Sequence, residues 1–224
     1  MSAAVTAGDG PVRRGTAVQR ARAGLVRAVA AVLARLPLGA VDALCDVAGE
    51  LWYRAAPDRA AVARGNLAHI TDRLAARGAG PARVHAAARD AGALERLVRG
   101  VFRHAARAYA ETLRGVAADR DVMRRLVIET PATVDAAFST PGPAVYATLH
   151  FGSMAGMAAI VAERSPVPVT GPMETLADPE LQRLMLELRS RPRARIVELA
   201  GARRALRAAL ARGEVVGVVG DRPI

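Results

Sequence analysis

The chain has 224 residues, of which 32 are basic and 21 acidic, giving a formal net charge of +11 at neutral pH. Hydrophobic residues make up 52% and aromatics 3%; this excludes a chain disordered throughout and requires a core of Ala, Val and Leu. Every base is arginine, which reads as genome composition, and the single Cys45 excludes an intrachain disulfide framework or a Cys-rich zinc site while permitting a reducing compartment.

Residues 1–17 read as a flexible tail. Residues 10–41 hold six arginines and no acid. No uncharged apolar run approaches the ~18 residues of a spanning helix. A basic stretch ahead of an apolar one resembles a signal peptide, but Arg27 and Arg35 interrupt the apolar part, so a cleaved signal is the weaker reading; a transit peptide shares the composition. In helical projection, Leu25, Val29, Val32, Leu33 and Leu36 fall on one face and Arg20, Arg27 and Arg35 on the other, with Arg22 at the apolar edge. Two readings stand level: a helix near 20–36 lying on an anionic bilayer, or a core-packed helix with a solvated basic face.

A second helix is expected after Pro37, with Val41, Leu44, Ala48, Leu51 and Trp52 on one side. Trp52 and Tyr53 suit a headgroup interface or an ordinary core, and the scarcity of aromatics favours the core. The Ala/Arg-rich helical pattern of 18–125 breaks at Pro57 and at Gly78–Pro81, and no internal repeat is evident. Leu126-Val127-Ile128 reads as a short strand, and Pro141-Gly142-Pro143 as a turn.

From there strands and helices alternate. Strands are expected over 144–149, 167–170, 195–199 and 215–219. Helices are expected over 153–164, 179–190 and 202–212. Asp178 caps the second of these helices, with Pro179 at its first position, and Gly213 closes the third. Val215–Val219 is uniformly apolar, as in a strand covered on both faces. The expected fold is therefore α/β: a largely parallel central sheet flanked by helices, preceded by an Ala/Arg-rich helical N-terminal region. The expected divisions are a tail over 1–17, a helical region over 18–125 and an α/β core over 126–224.

In open α/β sheets, ligands bind beyond the carboxyl ends of the strands. Three such ends carry polar chemistry here: His150-Phe151-Gly152-Ser153, Gly171-Pro172-Met173-Glu174 and Gly220-Asp221-Arg222. His150, between a strand and a helix start, suits a general base or a structural turn cap equally well. Backbone N–H groups of Phe151 to Ser153 are candidate oxyanion donors. Glu174 also suits a helix cap, and Asp221-Arg222 a local ion pair. His69, His85 and His104 fall within Arg-rich helices and read as surface or core residues. No Gly-x-Gly-x-x-Gly follows a strand, no Gly-x-Ser-x-Gly elbow is present, and no His/Asp/Glu cluster has metal-ligand spacing.

The run from His-Phe-Gly-Ser through Pro-Met-Glu-Thr-Leu, Asp-Pro-Glu-Leu and Arg-Arg-Ala-Leu to Gly-Glu-Val-Val-Gly-Val-Val-Gly-Asp-Arg resembles the lysophospholipid acyltransferase superfamily. Within it, the chain is most similar to the branch of lipid A late acyltransferases and phosphatidylinositol mannoside acyltransferases. Arg64-Gly65-Asn66-Leu67 and the Phe102–Glu111 stretch fit that branch too, so the resemblance extends from about residue 20. It implies transfer of a fatty acyl group from a thioester (acyl-CoA or acyl carrier protein) to a lipid or glycolipid hydroxyl. No metal or cofactor is implied. The setting is peripheral, on the cytoplasmic face of the cell membrane. The family's base is the His of His-x4-Asp/Glu, which is His150 here; its carboxylate position holds Ala155, leaving Glu174 or Asp221 as substitutes. The expected catalytic pair is His150 and Glu174, with Phe151, Gly152, Ser153, Asp221 and Arg222 at the substrate.

In the family the Asp-Arg segment leads into further strands, whereas Ile224 follows almost at once here. A fragment or a degenerate copy that binds lipid without catalysis is therefore the alternative expectation. A nucleic-acid binder is the third. Residues 183–212 hold nine Arg against Glu187 and Glu198, but stacking aromatics and a recognition motif are lacking, so no nucleic-acid partner is expected.

Overall fold

The computed structural model describes residues 15–139, 142–191 and 193–221. They form two compact units, one of residues Leu36–Ala110 and one combining the chain up to Arg35 with everything from Glu111 onward. Compactness thus divides the chain elsewhere than at residue 125. Thr16 caps the first helix.

The unit of residues 36–110 is helical. It holds α2 (Leu38–Ala55), α3 (Pro57–Ala76), α4 (Ala82–Ala87) and most of α5 (Ala91–Arg114). Pro57 opens α3, where its missing N–H costs no hydrogen bond. Val98 and Phe102 of α5 are buried with Ala60, and Trp52, Tyr53 and Leu67 pack against them. Trp52 and Tyr53 both meet the Phe102 ring edge-on, at 5.5 and 5.7 Å between centroids. Gly49 lets α2 approach α5 closely, because a Cβ there would lie 2.6 Å from the Arg103 Cα. Arg64 holds Glu95 through two bonds of 2.8 and 3.1 Å, and the Tyr53 hydroxyl donates to the same carboxylate.

The other unit begins with α1 (Ala17–Leu33), started by a Thr16/Gln19 capping box. It packs against α9 (Pro179–Arg189). The buried side of α1 carries Ala23 and Ala30, with Arg22 paired to Asp178 and Arg27 to Glu187. The predicted apolar stripe faces outward instead: Leu25 is 67% exposed, Val29 43% and Val32 58%. Two further helices follow α5, namely α6 (Val116–Arg125) and α7 (Pro131–Ser139). No strand forms at Leu126–Ile128. These residues are irregular, and Val127 is 81% exposed.

The sheet has four parallel strands, β1 (Ala144–Thr148), β2 (Val169–Met173), β3 (Ala194–Glu198) and β4 (Val215–Val219), in the order β1-β4-β2-β3. Helices α8 (Met154–Arg164), α9 and α10 (Ala202–Ala211) connect them, with a short 3-10 turn (Leu199–Gly201) before α10. The fold is the expected α/β one, a parallel sheet flanked by helices and preceded by helices. Val169, Met173, Leu184, Ala209, Val215 and Val216 are buried, giving the Ala/Val/Leu-rich core that the composition requires. β1 and β4 pair along their whole lengths. β4 and β2 pair only at Val169–Val215 and Thr170–Val216. Two residues beyond Thr170, Pro172 has no N–H with which to continue that ladder. The carboxyl halves of β4 and β2 are left without mutual ladder bonds.

Candidate active site at the carboxyl end of the sheet

The β1–β4 register places Thr148 opposite Val219, and the next bond in line joins Gly220 N–H to the Thr148 carbonyl at 2.9 Å. Two residues past those partners stand His150 and Asp221, separated by the same 71 positions as every pair in the ladder. Strand register alone therefore sets them face to face. The Asp221 carboxylate takes the His150 backbone N–H at 2.9 Å and lies 2.8 Å from the ring Nδ1. Hydrogen bonding from the His150 side chain is the main influence holding the Asp221 carboxyl below its ordinary range, with burial opposing it and the His150 backbone N–H adding to it. An ionised Asp221 only accepts, so a neutral ring carries its proton on Nδ1 and keeps a free lone pair on Nε2. Both side chains remain partly open to solvent, at 38% for His150 and 30% for Asp221.

The loop after His150 turns sharply. Gly152 has φ +68°, in the left-handed region that favours glycine. Ser153 caps α8: its Oγ accepts the Gly156 N–H at 2.9 Å and donates to Glu111 Oε2 at 2.6 Å. The Phe151 N–H already bonds the Leu149 carbonyl at 2.8 Å. It is therefore withdrawn from the expected oxyanion donors, while the N–H groups of Gly152 and Ser153 have no partner among the described residues. Apolar side chains are exposed along this loop: Phe151 is 86% exposed, and Leu149 and Met154 beside it in the chain are exposed as well.

Glu174 is not brought to His150. It follows β2, and β4 lies between β2 and β1, so the two strand ends stand roughly 10 Å apart at two strand spacings. Glu174 is exposed and makes no hydrogen bond to the His150 ring, which Asp221 holds instead. Arg222 lies outside the described residues. His69, His85 and His104 sit on α3, α4 and α5, within the helical unit. The Arg64 of the Arg-x-Asn-Leu stretch is engaged with Glu95 rather than with any strand end. Glu111 is the site neighbour that sequence reasoning missed as an individual residue. It stands 42 positions before Ser153 on α5, and no local pattern marks that meeting.

Among the described residues, no group of three or more His, Cys, Asp or Glu is placed to hold a metal ion. No helix there is long and apolar enough to cross a membrane. Comparison with protein-family models, with curated proteins and with solved structures finds no match to this chain.

Proposed function

We propose that the chain is a membrane-associated O-acyltransferase that moves a fatty acyl group from a CoA or acyl-carrier-protein thioester to a lipid or glycolipid hydroxyl. The observation that carries this reading is the His150–Asp221 pair, set by strand register at the carboxyl end of the sheet with the ring partly exposed. Asp221, just past the end of β4, offers the ring a carboxylate where this chain has Ala155 at the motif's carboxylate position. The apolar side chains around the loop suit a hydrocarbon-bearing substrate better than a sugar or a nucleotide.

The chemistry follows from the geometry. His150 Nε2 takes the proton of the acceptor hydroxyl, while Asp221 holds Nδ1–H and stabilises the imidazolium that forms. The acceptor oxygen bonds to the thioester carbonyl carbon, and the carbonyl oxygen becomes an oxyanion. The N–H groups of Gly152 and Ser153, without a partner among the described residues, are the backbone donors offered to it. The carbon–sulfur bond then breaks, the proton on Nε2 passes to the departing thiolate, and the neutral ring is restored.

The α1 surface fits the same reading. Its apolar stripe of Val18, Leu25, Val29 and Val32 is exposed although the helix is packed through another face; the helix carries no acid, but two of its three arginines, Arg22 and Arg27, are paired to Asp178 and Glu187, so the apolar stripe is what supports a membrane contact. A helix of this kind holds an enzyme to an anionic leaflet, here the cytoplasmic face of the cell membrane. The Arg-rich 183–212 stretch supports a nucleic-acid role poorly, because Arg183, Arg191, Arg195 and Arg212 are each paired to a carboxylate of the chain itself.

The test is acyl transfer from labelled acyl-CoA or acyl carrier protein to lipid acceptors in anionic vesicles. His150→Ala is expected to lower turnover by about 10²–10⁴-fold, and Asp221→Asn by at least about tenfold, both with unchanged circular dichroism. Equal turnover by the wild type and His150→Ala overturns the mechanism. Vesicle binding without turnover by the wild type selects the alternative of a lipid binder lacking catalysis.

A further inference from the structure

The loop that carries His150 is held at two points by two different carboxylates. Asp221 grips its first residue, by ring and by backbone. Glu111 grips its last, through the Ser153 hydroxyl. We propose that Glu111 is a positioning residue for His150, the second anchor that fixes where the imidazole stands; the proposal rests on the reading of His150 as general base.

The Ser153 hydroxyl has one proton and two lone pairs. Capping α8 uses only a lone pair, which takes the Gly156 N–H. The Glu111 contact adds nothing to the cap itself. It takes the remaining proton, at the 2.6 Å typical of a hydroxyl-to-carboxylate bond, and so removes the rotor freedom of Ser153 and ties the residue to α5. The first turn of α8 has little room to shift in response, because a Cβ at Gly156 would lie 2.8 Å from Val122 of α6. A carboxylate at this end of α8 also meets the positive end of the helix dipole.

Between the anchors lie only Phe151 and Gly152. Phe151 stands out into solvent, and among the described residues no heavy atom beyond Gly152 and its two chain neighbours lies within 4 Å of the place a Gly152 Cβ would occupy. Packing therefore does not hold the tip of the loop, and the two ends determine its placement. A general base displaced by about 1 Å loses on the order of a hundredfold in rate. Glu111 acts on the reaction through this placement and not by touching the reacting atoms.

The experiment compares Glu111→Ala, Glu111→Gln and Ser153→Ala in the full chain, with a first readout that needs no activity. Hydrogen exchange at the Gly156 amide and the ¹⁵N resonances of the His150 ring report the two ends of the loop. Glu111→Ala is expected to speed Gly156 exchange and move the His150 Nδ1 resonance, whereas Glu111→Gln, whose amide oxygen still accepts the Ser153 proton, restores both. In acyl transfer, Glu111→Ala is expected to lower kcat about 10–100-fold with KM within about twofold, and Glu111→Gln to recover most of the loss. If Glu111→Ala unfolds the chain, Ser153→Ala carries the test with the same expected shift at His150. A His150 resonance unmoved by the loss of either partner overturns the proposal, whatever the activity. Resonances that move as expected in a chain whose wild type transfers no acyl group support the anchoring and overturn only the acyltransferase reading.

Discussion

The two compact units pair most of their engaged carboxylates with arginine, and the α/β unit departs from this at two positions. In the helical unit, Asp42, Asp46, Glu50 and Glu95 all meet arginines, and Glu95 alone joins Arg64 to Tyr53. In the α/β unit, many acids do the same, as Glu214 does with Arg195 and Arg212. Asp221 and Glu111 differ: their side-chain partners are an imidazole and a hydroxyl, and both partners belong to one loop. In a chain with 32 arginines, the side-chain partners of these two carboxylates among the described residues are not guanidinium groups. Ion pairs join elements to one another, whereas these two carboxylates bond the two ends of the loop that carries His150.

That contrast can be broken most forcefully in the helical unit. Phe102→Ala removes the ring against which Trp52 and Tyr53 pack and is expected to destabilise the protein by about 3–5 kcal/mol. Chemical denaturation measures the loss, and turnover per folded molecule should stay unchanged. A matching fall in turnover would mean that the separation between support and chemistry is false.

Acid sharpens the same comparison. Arg64 holds the Glu95 carboxyl below its ordinary 4.5, with help from Tyr53, and Arg114 holds Asp121 below its ordinary 3.8. Arg212 does the same for Glu214. A carboxyl depressed by folding contributes its full stability above its unfolded value and loses it as the pH falls through the lower folded value. Thermal stability should thus show no loss from these groups above about pH 5 and should fall progressively below about pH 4. Asp221 is depressed as well, so its hold on the ring should survive to similarly low pH. Melting followed across that range checks both expectations.

The smallest effect on stability is expected at α1. Leu25→Ser with Val29→Ser changes side chains already open to solvent, so stability should move by no more than about 0.5 kcal/mol. Sedimentation with anionic vesicles should fall severalfold. Unchanged sedimentation would remove α1 from the membrane contact.

Local signals in the sequence located most elements. Asp178-Pro179 starts α9 where capping chemistry predicts, Pro57 and Gly78–Pro81 interrupt the helices, and β4 occupies the apolar run Val215–Val219. Leu126–Ile128 misled because β-branched content cannot supply a partner strand. The direction in which α1 faces was legible only in part. Its stripe is visible in the sequence, but the choice between core and surface depends on α9, which packs against α1 while Ala23 and Ala30 are the buried residues of α1. The site was legible to the level of strand ends. Which carboxylate reaches His150 depends on strand order and register, and β4 enters between β1 and β2, so Asp221 is near and Glu174 is not. Glu111 reaches the loop from a helix 42 positions away, a meeting that no spacing rule encodes.

The position of β4 also bears on how the molecule is made. Its residues follow the other three strands in the chain, yet it occupies an interior place in the sheet. As the protein leaves the ribosome, β1 and β2 must wait with open edges until this strand arrives to lie between them, a non-local step of the kind that slows folding and invites mispairing. The imidazole gains its carboxylate at that same moment, so a nascent chain short of β4 carries a histidine but no assembled pair.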